Sequence, residues 1–178
     1  MGELTFILGG AGSGKSRFAV EMAKGSSGPV VFVATCKSMD KEMERKIENH
    51  RKERPAQWEI IEAASTPFNI NGFKKKAECL LVDSLTLWVS ALLLRRDGRE
   101  RTAEDCRAFL KKVRADFKHT IIVSDEVGFG VVPENRLARD FREILGIINQ
   151  EAAKAADEVF LVAAGLPVQL KNNKSKRR

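Results

Sequence analysis

Leu4-Thr5-Phe6-Ile7-Leu8-Gly9-Gly10-Ala11-Gly12-Ser13-Gly14-Lys15-Ser16 carries an apolar run straight into GGAGSGKS, which fits G-x-x-x-x-G-K-[ST] from Gly9 to Ser16. The run reads as a buried strand. Phe18, Ala19, Met22 and Ala23 continue as one face of an amphipathic helix. A strand, a glycine-rich turn and a helix in that order make a phosphate-binding loop: backbone N–H groups close around the phosphate and the helix adds the positive end of its dipole. Lys15 is placed to reach β- and γ-phosphates, and the Ser16 hydroxyl to hold Mg2+. A flexible glycine linker would lack both the buried strand and the Lys-Ser pair.

Working outward, 178 residues with 43% hydrophobic content suffice for the core of one domain, expected over residues 1–171. No apolar run approaches the ~18 residues of a membrane span, and no charged-then-apolar leader is visible, so a cytoplasmic protein is expected. Cys36, Cys79 and Cys106 are odd in number and lack C-x-x-C spacing, which argues against a disulfide framework or a zinc site. The formal charge of +7 falls to +3 without Lys174, Lys176, Arg177 and Arg178. Residues 172–178 are therefore expected to be a disordered basic tail, and nucleic acid is not implied as a partner.

Apolar, β-branched-rich runs recur at Leu4–Leu8, Val30–Ala34, Glu59–Ile61, Cys79–Val82, Thr120–Val123 and Val159–Ala163. Helical patterns separate most of them, at Lys15–Lys24, Asp40–Glu53, Leu85–Leu94, Thr102–Asp116 and Glu134–Ala156, the last open to a break at Gly146. The alternation predicts an α/β fold with a mostly parallel sheet flanked by helices. RRDGRER, Arg95–Arg101, reads as an exposed loop, and Leu137, Phe141 and Ile144 as a core stripe.

Three stretches besides the loop can carry chemistry. Leu80-Leu81-Val82-Asp83 is an apolar strand ending in a carboxylate, where a phosphate-loop protein needs an acid to orient Mg2+ through water; Asp83 could equally cap the helix that follows. In the predicted helix from Asp40, Met43, Ile47 and His50 share one face, so His50 turns inward. It is either a satisfied semi-buried histidine or, with Arg51 and Arg54 nearby, a nucleophile toward a phosphate that those guanidiniums hold. His119 has no such company and reads as surface. Ser124-Asp125-Glu126 through Pro133 would emerge at the carboxyl edge of the sheet, where open α/β folds bind ligands, or would form a polar turn.

Taken together, GGAGSGKS, VVFVAT at Val30–Thr35, Ile47-x-x-His50-Arg51, Arg54-Pro55-x-x-Trp58, VDSLTLWVSALL from Val82, SDEVGFGVVPENRLARDFRE from Ser124 and NQEAAKAADEVFLVAAGLPVQLK from Asn149 resemble the bifunctional adenosylcobinamide kinase / adenosylcobinamide-phosphate guanylyltransferase family of cobalamin assembly. The resemblance runs nearly end to end. It implies a RecA-like P-loop NTPase fold that phosphorylates adenosylcobinamide with ATP or GTP and then transfers GMP from GTP. It also implies that His50 carries the GMP covalently, with Lys15 as the other catalytic residue, in a homo-oligomer similar to a trimer. The implied guanine-nucleotide contacts are Gly9–Ser16, Ala34, Thr35, Cys36, Arg51, Lys52, Glu53, Arg54, Glu62 and Asp83, with Ser16 and Asp83 toward Mg2+. The chain departs from the family pattern at Gly12 (usually Arg), Ser84 (usually Cys) and Asp125 (usually Asn). Gly12 removes a cation beside the triphosphate, and Asp125 adds charge near the presumed corrinoid edge. A single-activity P-loop kinase or ATPase with a structural His50, or a GTP-sensing module without turnover, would share the loop but not the later blocks.

Overall fold

The seven strands form one sheet in the order β3-β2-β4-β5-β1-β6-β7. The computed structural model describes residues 2–35, 54–62, 77–94 and 99–173. Its elements in chain order are β1 (Glu3–Gly9), α1 (Lys15–Lys24), β2 (Val30–Ala34), β3 (Glu59–Glu62), β4 (Cys79–Asp83), α2 (Leu85–Leu94), α3 (Arg99–Asp116), β5 (His119–Asp125), α4 (Arg136–Ala155), β6 (Glu158–Ala163) and β7 (Leu166–Asn172). All neighbouring strands are parallel except β6 and β7. The predicted helix Asp40–Glu53 lies outside the described residues.

Side-chain alternation along each strand divides the core into two layers. Leu4, Phe6, Val31, Leu80, Val82 and Ile122 face α2, α3 and α4, where Trp88 is fully buried and meets Phe109 edge-on at 4.8 Å between ring centroids. Ile7, Phe32, Leu81, Val123 and Val162 face α1 through Ala19, Val20 and Ala23, with Trp58 beside them. Strand β1 is sealed on both flanks, by β5 and by β6, so its Gly9 end can only leave the sheet at the carboxyl edge.

Four expectations are corrected. Helix α3 starts at Arg99, so Arg99–Arg101 are helical, not loop. Arg and Glu are good helix formers, Glu100 sits favourably in the first turn, and Arg101 pairs with Asp105 one turn on at 3.3 Å. Helix α4 starts at Arg136, because the Asn135 side chain accepts from Ala138 N and caps it, and it runs unbroken through Gly146. Leu137, assigned to the core stripe, is 49% exposed, while Ile144, Leu145 and Ile148 are the buried stripe. Strand β7, which includes Asn172, pairs antiparallel with β6 through a two-residue turn in which Ala164 and Gly165 have φ of 51° and 80°.

Candidate active site

The chain leaves β1 at Gly9 and turns back into α1 through a loop built without side chains where backbone must pass. A Cβ on Gly9 would lie 2.4 Å from Ser13 Oγ and 2.6 Å from the Val162 carbonyl oxygen. Gly14, the residue before α1, has φ of 89°, a left-handed conformation that glycine adopts at least cost. Ser13 N donates to Gly10 O at 3.2 Å, and Gly165 N donates to Ser13 O at 2.9 Å, so the β6–β7 turn braces the loop from the side. Ser13 Oγ is buried and has no protein hydrogen-bond partner among the described residues, the kind of group that a ligand satisfies.

Lys15, the first residue of α1, is buried, and its ammonium donates to Gly10 O at 3.1 Å. Its second contact was not foreseen as such. Asp125 Oδ1 lies 2.5 Å from Lys15 Nζ, with the two side chains only 11% and 25% exposed. Register explains the meeting: Asp125, the last residue of β5, is directly opposite Gly9. The charge that Asp125 was expected to add near the corrinoid edge is engaged in an ion pair with Lys15. A buried polar cluster fixes it there. Asp125 N donates to Thr86 Oγ1 at 2.6 Å, Asn149 Nδ2 donates to Asp125 O at 3.0 Å, and Ser124 Oγ donates to Asn149 Oδ1 at 2.7 Å.

The remaining expected residues follow the sheet edge. Ala34 is opposite Glu62 on one side and Asp83 on the other, and Asp83 is opposite Val123 on β5. Glu62, at the tip of the edge strand β3, stands four strands from β1, about 19 Å at ~4.8 Å per strand. Glu62 and the loop are therefore at well-separated positions along the sheet edge. Thr35 is buried with its hydroxyl consumed internally: Oγ1 donates to Ser84 O at 2.6 Å and accepts from Ser84 N at 2.8 Å. That pair of bonds positions the turn after Asp83. The side chain that reaches the first amides of α2 is Ser84, whose Oγ accepts from Leu87 N at 3.5 Å, so the capping role weighed for Asp83 falls to its neighbour. Arg54 lays its guanidinium over the Phe32 ring, 3.6 Å from the centroid. His50, Cys36, Arg51, Lys52 and Glu53 lie outside the described residues.

Comparison with known proteins completes the picture. The family model for cobinamide kinase / cobinamide phosphate guanyltransferase matches residues 5–170. The chain belongs to this family. It is accordingly a nucleotide-binding transferase, as the family's two named activities require. Among its relatives, the bifunctional adenosylcobalamin biosynthesis protein CobU of Escherichia coli (strain K12) is 37% identical over 94% of this chain and 99% of its own length. The bifunctional adenosylcobalamin biosynthesis protein CobP of Pseudomonas aeruginosa is 39% identical, over 93% and 95%. In fold, a prototypical ATPase from the type III secretion system of pathogenic bacteria superposes with a TM-score of 0.62 at 14% identity, covering 95% of this chain and 57% of that one. That likeness bears out the P-loop, RecA-like architecture.

A divalent cation on bound phosphates would need hard oxygen ligands. The chain offers the Ser16 hydroxyl in the first turn of α1 and the half-buried Asp83 carboxylate at the tip of β4. A hydroxyl plus one carboxylate, completed by phosphate oxygens, is the donor set that suits Mg2+. No helix among the described residues is long and apolar enough to cross a membrane.

Proposed function

We propose that this chain phosphorylates adenosylcobinamide and then transfers GMP from GTP to the adenosylcobinamide phosphate, in the assembly of cobalamin. The observation that carries the reading is the buried Lys15 at the head of α1, behind a glycine loop at the carboxyl edge of the sheet. That loop occurs in a chain matching proteins named as bifunctional adenosylcobalamin biosynthesis enzymes over nearly their whole length.

In the kinase step the aminopropanol hydroxyl attacks the γ-phosphorus of ATP or GTP. An O–P bond forms, the bond to the nucleoside diphosphate breaks, and the hydroxyl proton is released. Lys15 and the loop amides hold the β- and γ-oxygens as charge moves onto the leaving diphosphate. Ser16 and Asp83 would hold a Mg2+ ion, which would supply further charge neutralisation on those oxygens. In the second step a neutral His50 imidazole nitrogen attacks the α-phosphorus of GTP, pyrophosphate leaves, and GMP remains on a P–N bond. A phosphate oxygen of adenosylcobinamide phosphate then attacks the same phosphorus, the P–N bond breaks, and the imidazole is regenerated. Arg51 and Arg54 stabilise the charge on the transferring group. Guanine-nucleotide contacts are assigned to Gly9–Ser16, Ala34, Thr35, Cys36, Arg51, Lys52, Glu53, Arg54, Glu62 and Asp83. We assign the protein to the cytoplasm as a homo-oligomer. Leu166, Val168 and Leu170, all more than half exposed on one face of β7, form an apolar row that association would cover, and light scattering gives the subunit number.

The test is covalent labelling. Wild-type protein incubated with α-labelled GTP and Mg2+ should acquire the mass of one GMP through an acid-labile, alkali-stable bond. His50→Asn should lose the label and keep kinase activity on adenosylcobinamide, because the two transfers use different nucleophiles. An acid-stable adduct, or labelling that survives in His50→Asn, overturns the intermediate.

A further inference from the structure

We propose that Asp125 is a specificity-determining residue of the nucleotide site: its carboxylate neutralises Lys15 and so disfavours a triphosphate that arrives without a divalent cation. The inference rests on the reading of Gly9–Ser16 as the nucleotide site.

The geometry is specific. An ammonium has three N–H donors; Lys15 directs one to Gly10 O at 3.1 Å, and Asp125 Oδ1 lies 2.5 Å from the same nitrogen. One donor remains for a phosphate oxygen. Such an oxygen and Oδ1 would share one ammonium, which sets them roughly 4–5 Å apart at hydrogen-bond lengths of about 2.7–3.0 Å. Like charges at that range, in a pocket where the lysine is 11% exposed, repel far more than they would in water. Asp125 has little freedom to withdraw. Its N–H is tied to Thr86, its carbonyl oxygen to Asn149, and its strand to Gly9, the first residue of the loop. A divalent cation on the phosphates removes the conflict, because the carboxylate then faces a neutralised group. The pair thus admits the metal-bound nucleotide and resists the bare one. The neighbouring Glu126 is a useful contrast, since its Oε1 accepts from Gly128 N at 2.6 Å.

Calorimetric titration of the full chain with GTP, in Mg2+ and in EDTA, tests this. Asp125→Asn and Asp125→Ser should each bind GTP in EDTA at least tenfold tighter than wild type, and within threefold of wild type in saturating Mg2+. Glu126→Gln should keep the wild-type ratio of the two affinities. Two Asp125 variants guard against misfolding of either, with thermal melts as the check. Unchanged affinity in EDTA overturns the proposal. So does weaker binding in both buffers, which would make Asp125 only an anchor for Lys15, and so does an equal gain in Glu126→Gln, which would make the effect one of net charge. If wild type binds GTP in neither buffer, the nucleotide-site reading itself fails and takes this inference with it.

Discussion

Asn149→Leu probes the cluster that sets Asp125 in place. Asn149 is 5% exposed on α4; it accepts from Ser124 Oγ at 2.7 Å and donates to Asp125 O at 3.0 Å. Leucine has nearly the same shape and neither function. Ser124 is fully buried, and its other neighbour, Thr86 Oγ1, is a poor partner at 3.4 Å, so its hydroxyl loses most of its hydrogen bonding, a cost of about 1–3 kcal/mol. The Asp125 carbonyl is at a half-buried residue that water can reach, and its loss is nearer the ~0.5–1.5 kcal/mol of an ordinary hydrogen bond. Together the substitution should destabilise the fold by about 2–4 kcal/mol. With a urea slope of roughly 2 kcal/mol/M, the unfolding midpoint should fall by about 1–2 M at unchanged slope. Ser124→Ala in the same background should recover part of the loss, because replacing both partners removes the orphan; the double-mutant coupling should be about 1–2 kcal/mol. A midpoint shift below about 0.3 M, or strict additivity of the two substitutions, would refute the idea that this network holds the end of β5.

Lys15→Ala should leave the circular dichroism spectrum intact and weaken binding of a fluorescent GTP analogue by roughly 10- to 150-fold, the equivalent of ~1.5–3 kcal/mol for a charge-assisted contact. Asp83→Asn should move the Mg2+ titration of turnover to higher concentration while metal-free nucleotide binding changes little; a titration that stays in place removes Asp83 from the cation's surroundings. Burial pushes the Cys79 thiol up to about 11 and, with help from the Asp105 and Glu151 carboxylates, the Cys106 thiol up to about 12, from an ordinary value of 9.0. Both should resist iodoacetamide at pH 8 in the folded protein and react in urea, as peptide-level mass spectrometry would record. Because these pKa values are raised on folding, their contribution to stability is whole below about pH 9 and is lost as pH rises from 9 toward 11, where the unfolded thiols ionise and the folded ones do not; melting temperature followed across that range gives the sign.

The loop and the strands around it were legible because their signals are local. Glycine spacing places Gly9–Ser16, and continuous apolar runs mark strands buried on both faces, as Leu80–Val82 are. Strand β7 was missed because it lies at the sheet edge: its residues are mostly exposed, its apolar positions alternate, and Pro167 argues against a strand unless the strand is an edge. Alternation of Leu166, Val168 and Leu170 just after Gly165 was the available clue. The Lys15–Asp125 pair was beyond reach for a different reason. Its members come from distant parts of the chain and meet only because β5 lies beside β1, and apolar runs reveal strands without their order. The same limit hid the role of Thr35, whose hydroxyl serves the turn at Ser84, just after β4.

The placement of β1 also bears on how the protein is made. This strand and its phosphate loop precede in the chain the neighbours that seal them, β5 and β6, and the Gly165 amide that braces Ser13. A ribosome-bound chain stopped before β6 has a loop without one wall and a strand with an open flank. Nucleotide capture during synthesis must therefore wait until β6 and the turn after it have emerged, and until then Leu4, Phe6 and Ile7 lack partners that bury them in the folded protein.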